Sequence, residues 1–252
     1  IVLTEDDLDV DDETLKTFTK CTNVFARVSP DSKLRIAKSF QSDDILIGMT
    51  GDGVNDAPAL KVADLGISMG QKGTDVARDS SQIVLSDDNF ASIVDAIEQG
   101  RIVFRNIRQT SYFLITTNFA STLTLIGALA IGFTYPLLPT QILWINLVTD
   151  GVMDISLATE PGHEDMMKQK PLKKKESIIN KEILPYLLII VPVMVGLALF
   201  VFDHYRPEGI EKARTGVFLS VAMTQVFNAF NMRSLKYSVF NIGFFKNKWL
   251  IL

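Results

Sequence analysis

The sequence predicts a parallel α/β domain followed by a bundle of membrane-spanning helices. Up to about residue 88, short apolar runs alternate with helical stretches, as they do in open α/β sheets. The first hundred residues contain 9 Lys and Arg against 19 Asp and Glu, whereas the rest contain 16 against 10. The long uncharged runs lie almost entirely in this second part. An acidic soluble part is therefore joined to a membrane part.

The elements of the first part follow one another closely. Residues 1–22 are polar, and their acidic block from Glu5 to Glu13 predicts a solvated surface. The predicted elements after it are strand Val24–Val28, helix Ser32–Phe40, strand Ile45–Met49, helix Ala57–Ala63, strand Leu65–Met69, helix Thr74–Ser80 and strand Ile83–Leu85. This alternation predicts one parallel sheet covered on both faces. Because that sheet is incomplete, we expect the chain to be a fragment of a longer polypeptide.

Uncharged runs define the second part. No charged residue occurs from Gln109 to Thr149, and Pro136 and Pro139 interrupt that run, which predicts a helical hairpin crossing the membrane twice. Spans are expected at about 111–133, 140–159, 183–202 and 215–232, with a further span beginning at 249. A helix from about Asn89 to Phe133 would be about 65–70 Å long and would connect the two parts. The predicted divisions are 1–88, 89–110 and 111–252.

The charges between the spans predict a multi-pass orientation. Two basic loops flank the third and fourth spans, and they contain Lys168, Lys170, Lys173, Lys174, Lys175 and Lys181, then Arg233, Lys236, Lys246 and Lys248. The positive-inside rule places these loops and the acidic part in the cytoplasm. The cluster Lys173–Lys175 also suits contact with anionic lipid. A single cysteine, Cys21, cannot form an internal disulfide, which fits a reducing compartment.

The segment MTGDGVNDAPAL, residues 49–60, carries the clearest chemical signal. Its glycines permit a sharp turn directly after an apolar run, so Asp52 and Asp56 are expected at the carboxyl end of a strand. Two carboxylates beside the amide of Asn55 suit Mg²⁺ and a phosphate group. The alternative interpretation is a surface turn rich in Gly, Asp and Asn.

This segment resembles the phosphorylation-domain signature of the P-type ATPases, which are ion pumps of the haloacid dehalogenase fold. The resemblance extends through FARVSPDSKLRI before it and DNFASIVDAIEQGR after it. It implies that residues 1–88 are the C-terminal part of a phosphorylation domain and that 89–110 form a stalk helix. The family's DKTGT and TGE motifs are absent. The actuator and nucleotide-binding domains are then partners elsewhere in the same polypeptide, and the fragment alone is expected to be inactive.

The resemblance also implies roles for residues of the phosphate site, with ATP and Mg²⁺ as cofactors. Asp52 resembles the carboxylate that holds Mg²⁺. Asn55 and Asp56 resemble the pair that orders the phosphate oxygens and the surroundings of the metal. Lys33 resembles the lysine that pairs with the phosphate, and Arg27 resembles an arginine that helps hold the nucleotide. Taken alone, Lys33 and Arg27 would be interpreted as surface residues. The implied protein is a monomer with no nucleic-acid partner.

Polar groups inside the predicted spans suggest a cation site, because such groups are costly in lipid and usually functional. Asn118 lies in the first span, and Asn146, Thr149 and Asp150 lie in the second. Asn146 and Asp150 are four residues apart and so share a helix face. For an asparagine alone, a hydrogen bond between helices is the simpler interpretation.

The segment WINLVTDG resembles the sixth-span motif of calcium pumps. It implies that Asn118, Asn146, Thr149 and Asp150 bind the transported cation, with Ca²⁺ as the first candidate ion and Gln225 as a further candidate ligand. Ser121 and Gln225 stand where two-site calcium pumps have glutamates, a pattern similar to single-site plasma-membrane pumps. One Ca²⁺ per cycle is therefore implied, with a fourth-span glutamate outside this chain.

Asp154 does not fit this pattern, and it leaves alternatives open. This extra acid could shift selectivity towards Na⁺ or Mn²⁺, or it could lie at the membrane edge. A pump for Na⁺, K⁺, Mg²⁺ or Mn²⁺ is one alternative function, and a membrane-anchored haloacid dehalogenase-type phosphatase is another. The intramembrane Asp150 argues against a mere anchor. A non-catalytic membrane subunit is a further alternative, against which the intact TGDGVND segment argues.

Overall fold

A computed structural model describes residues 2–162, 166–171 and 176–251. The chain forms two compact units, one comprising Ile1–Ile97 and Lys170–Glu176, the other Glu98–Gln169 and Ser177–Leu252. It is mostly helical with small parallel sheets, as the sequence predicts in outline. The proposed lipid contact of Lys173–Lys175 falls outside the described residues.

The strands of the first unit form two sheets, not the single sheet predicted. The first sheet pairs β1 (Val2–Leu3) with β2 (Val24–Phe25), and the second has the order β3 (Gly48–Gly51), β4 (Leu65–Met69), β5 (Ile83–Leu85), with every pairing parallel. The strand predicted to reach Val28 stops early, because Arg27 adopts a left-handed backbone with φ of 55°. Pro30 then begins a helix.

The helices of the first unit begin where the sequence provides capping side chains. They are α1 (Asp12–Cys21), α2 (Pro30–Ser42), α3 (Ala57–Val62) and α4 (Asp75–Asp79). The side chains of Asp11, Ser29 and Thr74 accept hydrogen bonds from backbone N–H groups in the first turns of α1, α2 and α4. One apolar core surrounds Leu3, Leu8 and Leu15, and a second surrounds Ile67, Met69 and Leu85.

The strand predicted at Ile45–Met49 is displaced towards the glycines. Ile45 and Leu46 are 47% and 54% exposed and lie outside β3. The position of β3 follows from its pairing with β4, in which Gly48 lies opposite Leu65 and Gly51 lies opposite Ser68. The Asp64 carboxylate accepts a hydrogen bond from the Ile47 N–H at 3.1 Å, which determines where the chain enters the sheet.

The acidic N-terminal block is not solvated throughout. The Glu5 carboxylate accepts hydrogen bonds at 2.7 Å from the Ser29 N–H, the Ser29 hydroxyl and the Ser32 hydroxyl. These bonds hold Glu5 at the N-terminus of α2, where the helix dipole favours a negative charge. They lower the pKa of Glu5, with the Ser29 N–H contributing most.

The second unit consists largely of helices. The helical segments are α5 (Phe90–Ala130, whose first eight residues belong to the first unit), α6 (Pro139–Trp144), a π-helical segment (Ile145–Asp150), α7 (Gly151–Ala158), α8 (Leu184–Tyr205), α9 (Ile210–Met232) and α10 (Val239–Ile242). Within the described residues, the stretches Phe90–Ala130 and Lys181–Glu208 are long and apolar enough to cross a membrane. The predicted fourth span lies in α9, whose buried face includes the polar Gln225 and Asn228.

Several predicted boundaries need correction. Helix α5 ends at Ala130, not Phe133, and Gly132 follows with φ of 81°. The predicted second span is helical from Pro139 to Ala158, but its middle is the π-helical segment. No helix begins at Trp249 within the described part, where the chain instead forms a turn that buries Leu250 in an apolar cluster with Tyr112 and Met232.

A fully buried ion pair joins the ends of two helices in the second unit. The Arg233 guanidinium donates to Glu160 at 2.8–3.1 Å and to the carbonyls of Gly243 and Phe244 at 3.2 and 3.1 Å. The Asn247 amide donates to the Glu160 carboxylate at 2.7 Å. Glu160 lies just after α7 and Arg233 just after α9, so the pair sets the position of one helix against the other.

Replacing Arg233 with Met should strongly destabilise the second unit. The change leaves the Glu160 carboxylate buried without its cation, a loss worth about 3–5 kcal/mol for such pairs. The expected result is a clearly lowered melting temperature in detergent. Lys20→Met is the control, since exposed Lys20 pairs with Asp43 at 3.4 Å and should leave the melting temperature unchanged. Equal effects of the two changes would contradict the assigned role of the buried pair.

Candidate functional sites

The loop after β3 holds the predicted phosphate-site residues of the first unit. Asp52 follows the last residue of β3, and its side chain is exposed, as is that of Asn55. The Asp52 carbonyl accepts a hydrogen bond from the Thr74 N–H at 2.9 Å, which attaches this loop to the start of α4. A 3₁₀ turn over Val54–Asp56 then carries Asp56 into a buried position.

Lys33 and Asp56, far apart in sequence, are brought together in this loop. The Lys33 Nζ lies 2.7 Å from Asp56 Oδ1, and the Gly53 N–H donates to Asp56 Oδ2 at 3.3 Å. Lys33 reaches this position from the first turns of α2, whose start is determined by Ser29 and Pro30. Burial raises the pKa of Asp56, but the bonds from Lys33 and Gly53 outweigh it and hold the pKa below 3.8.

Gly51 lets Asp56 pack against the strand end. A Cβ at position 51 would lie 2.5 Å from the Asp56 Cβ and 3.2 Å from its Oδ2. No side chain fits at that distance, so the glycine is required by close approach and not by a left-handed backbone. The predicted backbone freedom of this glycine is therefore not what the turn uses, since Gly51 has no positive φ.

Arg27 is not brought into this group. It is exposed in the turn between β2 and α2, and among the described residues no hydrogen bond or ion pair joins it to Lys33 or Asp56. Its predicted nucleotide contact therefore stays a prediction.

In the second unit, the π-helical segment places a carboxylate inside the helix bundle. Its buried residues are Ile145, Thr149 and Asp150, and Asp150 is only 3% exposed. Asn146, predicted to share their face, is exposed. The buried side is the side that packs against α9. A π-helical turn inside an α-helix is rare and often occurs at functional sites.

Helix α5 also presents different residues from the one predicted. Asn118 is exposed, and its amide donates to the Leu114 carbonyl of its own helix at 2.8 Å. The inward positions are Thr116 and Thr117, both fully buried. The Thr117 hydroxyl donates to the carbonyls of Phe113 and Leu114 of its own helix at 3.1 and 3.2 Å. The sequence offered a signal for these threonines, since they are polar residues inside an apolar run.

The buried face of α9 adds amide groups to this region. The Asn228 amide donates to the Thr116 hydroxyl at 2.8 Å, which connects α9 to α5. Gln225, one turn earlier, is 0% exposed, and neither of its amide atoms has a hydrogen-bond partner within the described residues. The structure thus buries Thr149, Asp150 and Gln225 and leaves Asn118 and Asn146 exposed, and the predicted cation ligation by these residues stays a prediction.

The donor set of this interior suits a hard cation. Among the described residues, one oxygen each of Asp150, Asp154, Gln225 and Asn228 is buried without a hydrogen-bond partner. Carboxylate and amide oxygens are the ligands that Ca²⁺ prefers. No group of three or more His, Cys, Asp or Glu side chains that could hold a metal occurs in the described ranges. A cation here would therefore depend on carboxylates combined with amide and hydroxyl oxygens.

Comparisons with known proteins agree with these features. Residues 134–252 match the family model described as cation transporting ATPase, C-terminus. A calcium-transporting ATPase 1 of Bacillus cereus is 41% identical over 247 residues, covering 91% of this chain and 28% of that protein. A calcium-transporting ATPase of Bacillus subtilis is 42% identical over 232 residues, covering 90% and 26%. A probable cation-transporting ATPase F of Mycobacterium tuberculosis is 39% identical over 232 residues, covering 91% and 26%.

The apolar helices and the matching family model together support a membrane protein. More particularly, the chain is similar to cation-transporting ATPases, and relatives about 40% identical to it over most of its length are named calcium-transporting ATPases. It spans about a quarter of the length of the curated relatives it matches.

Gly51→Ala should loosen the loop from 51 to 56. The added Cβ must displace Asp56, because the nearest atom would lie at 2.5 Å. When hydrogen–deuterium exchange is measured on the intact chain, the backbone amides of Val54–Leu60 should therefore exchange faster. Gly100→Ala is the control, since a Cβ there meets nothing within 4 Å and a helix favours Ala. Unchanged exchange in Gly51→Ala would contradict the close packing.

Lys33→Met should destabilise the first unit at neutral pH and weaken its sensitivity to acid. In the wild type, the stability supplied by ionised Asp56 is present above pH 3.8 and is lost as the pH falls through the lower pKa of the folded state. Without Lys33, burial raises the folded-state pKa of Asp56 towards or above its unfolded value, so this loss should shrink and the difference from the wild type should be greatest near neutral pH. Melting temperatures between acidic and neutral pH would show this difference, with exposed Lys61→Met as the matched control. Identical pH profiles for both variants would count against the pair.

Proposed function

We propose that this chain is part of an ATP-driven pump that exports Ca²⁺ from the cytoplasm through an aspartyl-phosphate intermediate. The observation that carries the proposal is the buried Asp150, which lies among apolar helices with its Oδ1 lacking a hydrogen-bond partner and no cationic side chain paired to it in the described ranges. A buried carboxylate in lipid must pair, protonate or bind a cation. The relatives named calcium-transporting ATPases support Ca²⁺ as that cation.

The first unit would supply part of the phosphoryl-transfer site. The exposed Asp52 carboxylate at the end of β3 suits Mg²⁺, while Asp56 is already held by Lys33 and Gly53 and suits a role in orienting the site. When bound, Mg²⁺ offsets the charge on the transferring phosphoryl group of ATP. Lys33 then exchanges its bond to Asp56 for the phosphate, with Asn55 exposed beside it. The phosphorylated aspartate lies outside this chain.

The domain assignments follow from the same proposal. The parallel order β3–β4–β5, with the loop of Asp52 at a carboxyl end, suits a haloacid dehalogenase-like phosphorylation domain over 1–88. Residues 89–110 are the stalk, and 111–252 are the membrane domain. The described basic residues Lys168, Lys170, Lys181, Lys236 and Lys246 favour cytoplasmic loops. The pump is proposed to act as a monomer together with the actuator and nucleotide-binding domains of the whole protein.

One Ca²⁺ per cycle is proposed from the loss of two acids. Ser121 and Gln225 are neutral at positions where the two-site pattern has glutamates. Asn118 and Asn146 are exposed in the described part. We place them against a helix of the whole protein that lies outside this chain and contributes the remaining ligand. Arg27, also exposed, would contact nucleotide only when the nucleotide-binding domain is present.

A second candidate is a P-type pump for another cation, Na⁺, K⁺, Mg²⁺ or Mn²⁺. The specific observation in its favour is Asp154, an acid that the calcium-pump pattern does not explain and whose buried Oδ1 lacks a hydrogen-bond partner within the described residues. An extra carboxylate favours the divalent members of this group, Mg²⁺ and Mn²⁺. The Mycobacterium tuberculosis relative is named only for cation transport, which fits either ion. A phosphatase with a membrane anchor is less well supported, because an anchor has no use for buried unpaired carboxylates.

The deciding experiment is phosphoenzyme formation from radiolabelled ATP in the purified full-length protein. Ca²⁺ is titrated against Na⁺, K⁺ and Mn²⁺, with Mg²⁺ always present. We expect acid-stable label that requires micromolar Ca²⁺, an estimate from sites of sensor-like affinity at about 10⁻⁷–10⁻⁵ M. Asp52→Ala should abolish the label. Asp150→Ala should retain nucleotide binding but lose the dependence on cation.

The possible outcomes separate the candidates. Label that depends on another ion would transfer the proposal to the second candidate. Absence of acid-stable label under every condition would exclude a pump and favour the phosphatase. Wild-type transport by Asp150→Ala would show that the cation site is wrongly assigned. Asp203→Ala serves as the control, since Asp203 is an exposed carboxylate at the end of α8.

A further inference from the structure

We propose that Asp154 is a second carboxylate ligand of the transported cation and that it sets the preference of the site for a divalent over a monovalent ion. This inference rests on the proposed pump function and deepens it. Asp154 lies on α7 four residues after Asp150, so the two side chains project from the same side of one continuous helical stretch.

Neither carboxylate is neutralised by the surrounding protein. In the described ranges, neither Asp150 nor Asp154 forms an ion pair with Lys, Arg or His, and each keeps a buried Oδ1 without a hydrogen-bond partner. A buried carboxylate and a half-buried one left in this state are costly. A divalent cation between them balances both charges, whereas a monovalent cation leaves one negative charge uncompensated.

Gln225 provides an independent sign that a ligand belongs here. It is completely buried, yet both atoms of its amide lack partners in the described part of the chain. A buried amide left without hydrogen bonds costs about 1–3 kcal/mol, so its oxygen and nitrogen call for a partner.

The position of Gln225 along α9 directs it towards the two carboxylates. Ile145 and Val221 belong to one apolar cluster, and Leu157 and Ala229 belong to another. The two helical stretches therefore run in the same direction, side by side. On α9, Gln225 lies midway between Val221 and Ala229. On the neighbouring stretch, Asp150 and Asp154 lie between Ile145 and Leu157, so Gln225 and the two carboxylates are at the same height.

Glu160 shows how this fold treats a carboxylate that serves only structure. Six residues beyond Asp154, its two oxygens accept hydrogen bonds from Arg233 and Asn247. In and just after this helical stretch, one carboxylate is thus fully hydrogen-bonded, whereas two others each keep an oxygen without a partner. The alternative position for Asp154, at the membrane edge, is not supported, because the fully buried Leu157 follows it on the same helix. The unsaturated pair is best explained by a ligand.

The test uses the full-length pump with Asp154→Asn and Asp154→Ser, and with Asp203→Asn as the control for removing an exposed carboxylate. Two quantities are measured. The first is the Ca²⁺ concentration for half-maximal phosphorylation from ATP, alone and with competing Na⁺. The second is phosphorylation from inorganic phosphate without Ca²⁺, which reports an intact catalytic site.

We expect both Asp154 variants to need about tenfold more Ca²⁺, because ligand charge tunes the affinity of such sites. Competition by Na⁺ should become stronger, phosphorylation from inorganic phosphate should be retained, and Asp203→Asn should behave as wild type. Asp154→Glu, which keeps the charge, should restore much of the preference for Ca²⁺ over Na⁺.

A Ca²⁺ requirement within twofold of wild type in both neutral variants would overturn the inference while leaving the pump intact. Loss of phosphorylation from inorganic phosphate in both variants, but not in Asp154→Glu, would assign Asp154 to the fold and equally overturn it. A wild-type protein whose phosphorylation ignores Ca²⁺ would instead refute the proposed function, so the two failures are distinguishable.

Discussion

The arrangement of the helices in the second unit depends on the buried ion pair of Glu160 and Arg233. An ion pair without access to water is stable only when nearly every donor and acceptor is satisfied, and here the carbonyls of Gly243 and Phe244 and the amide of Asn247 complete it. Because such bonds demand strict geometry, the ends of α7 and α9 have little freedom to slide. The ion pair therefore also determines how residues elsewhere on these helical stretches, such as Asp150 and Gln225, lie relative to each other.

Against this saturated pair, the unsaturated groups between the same helices stand out. Asp150, Gln225 and Asn228 are buried to the same degree as Glu160, but each keeps at least one polar atom without a partner in the described residues. The fold supplies hydrogen-bond donors to both carboxylate oxygens of Glu160. The missing partners of the nearby groups are therefore not explained by a general shortage of donors between these helices. The contrast separates the groups that hold the helices from the groups available to a cation.

In the first unit, a partly buried charged pair also lies at the loop after β3. Lys33 and Asp56 neutralise each other across a gap of 23 positions, and Gly51 provides the room for Asp56 to reach the strand end. This pairing keeps both charges near the loop of Asp52 without a phosphate present. The two charges of Lys33 and Asp56 are therefore balanced within the first unit itself.

The sequence alone determined the family, the division into an acidic α/β part and an apolar helical part, and elements such as β4 and β5, because periodicity and local motifs are properties of neighbouring residues. It also singled out Lys33, Asp56, Asp150 and Gln225. Only the tertiary structure decided which side chains meet. Asn118 and Asn146 lie outside while Thr116 and Thr117 lie inside, and Arg233 pairs with Glu160 across 73 positions. The choice of face depends on which helices pack together, and that information is absent from any single stretch of sequence.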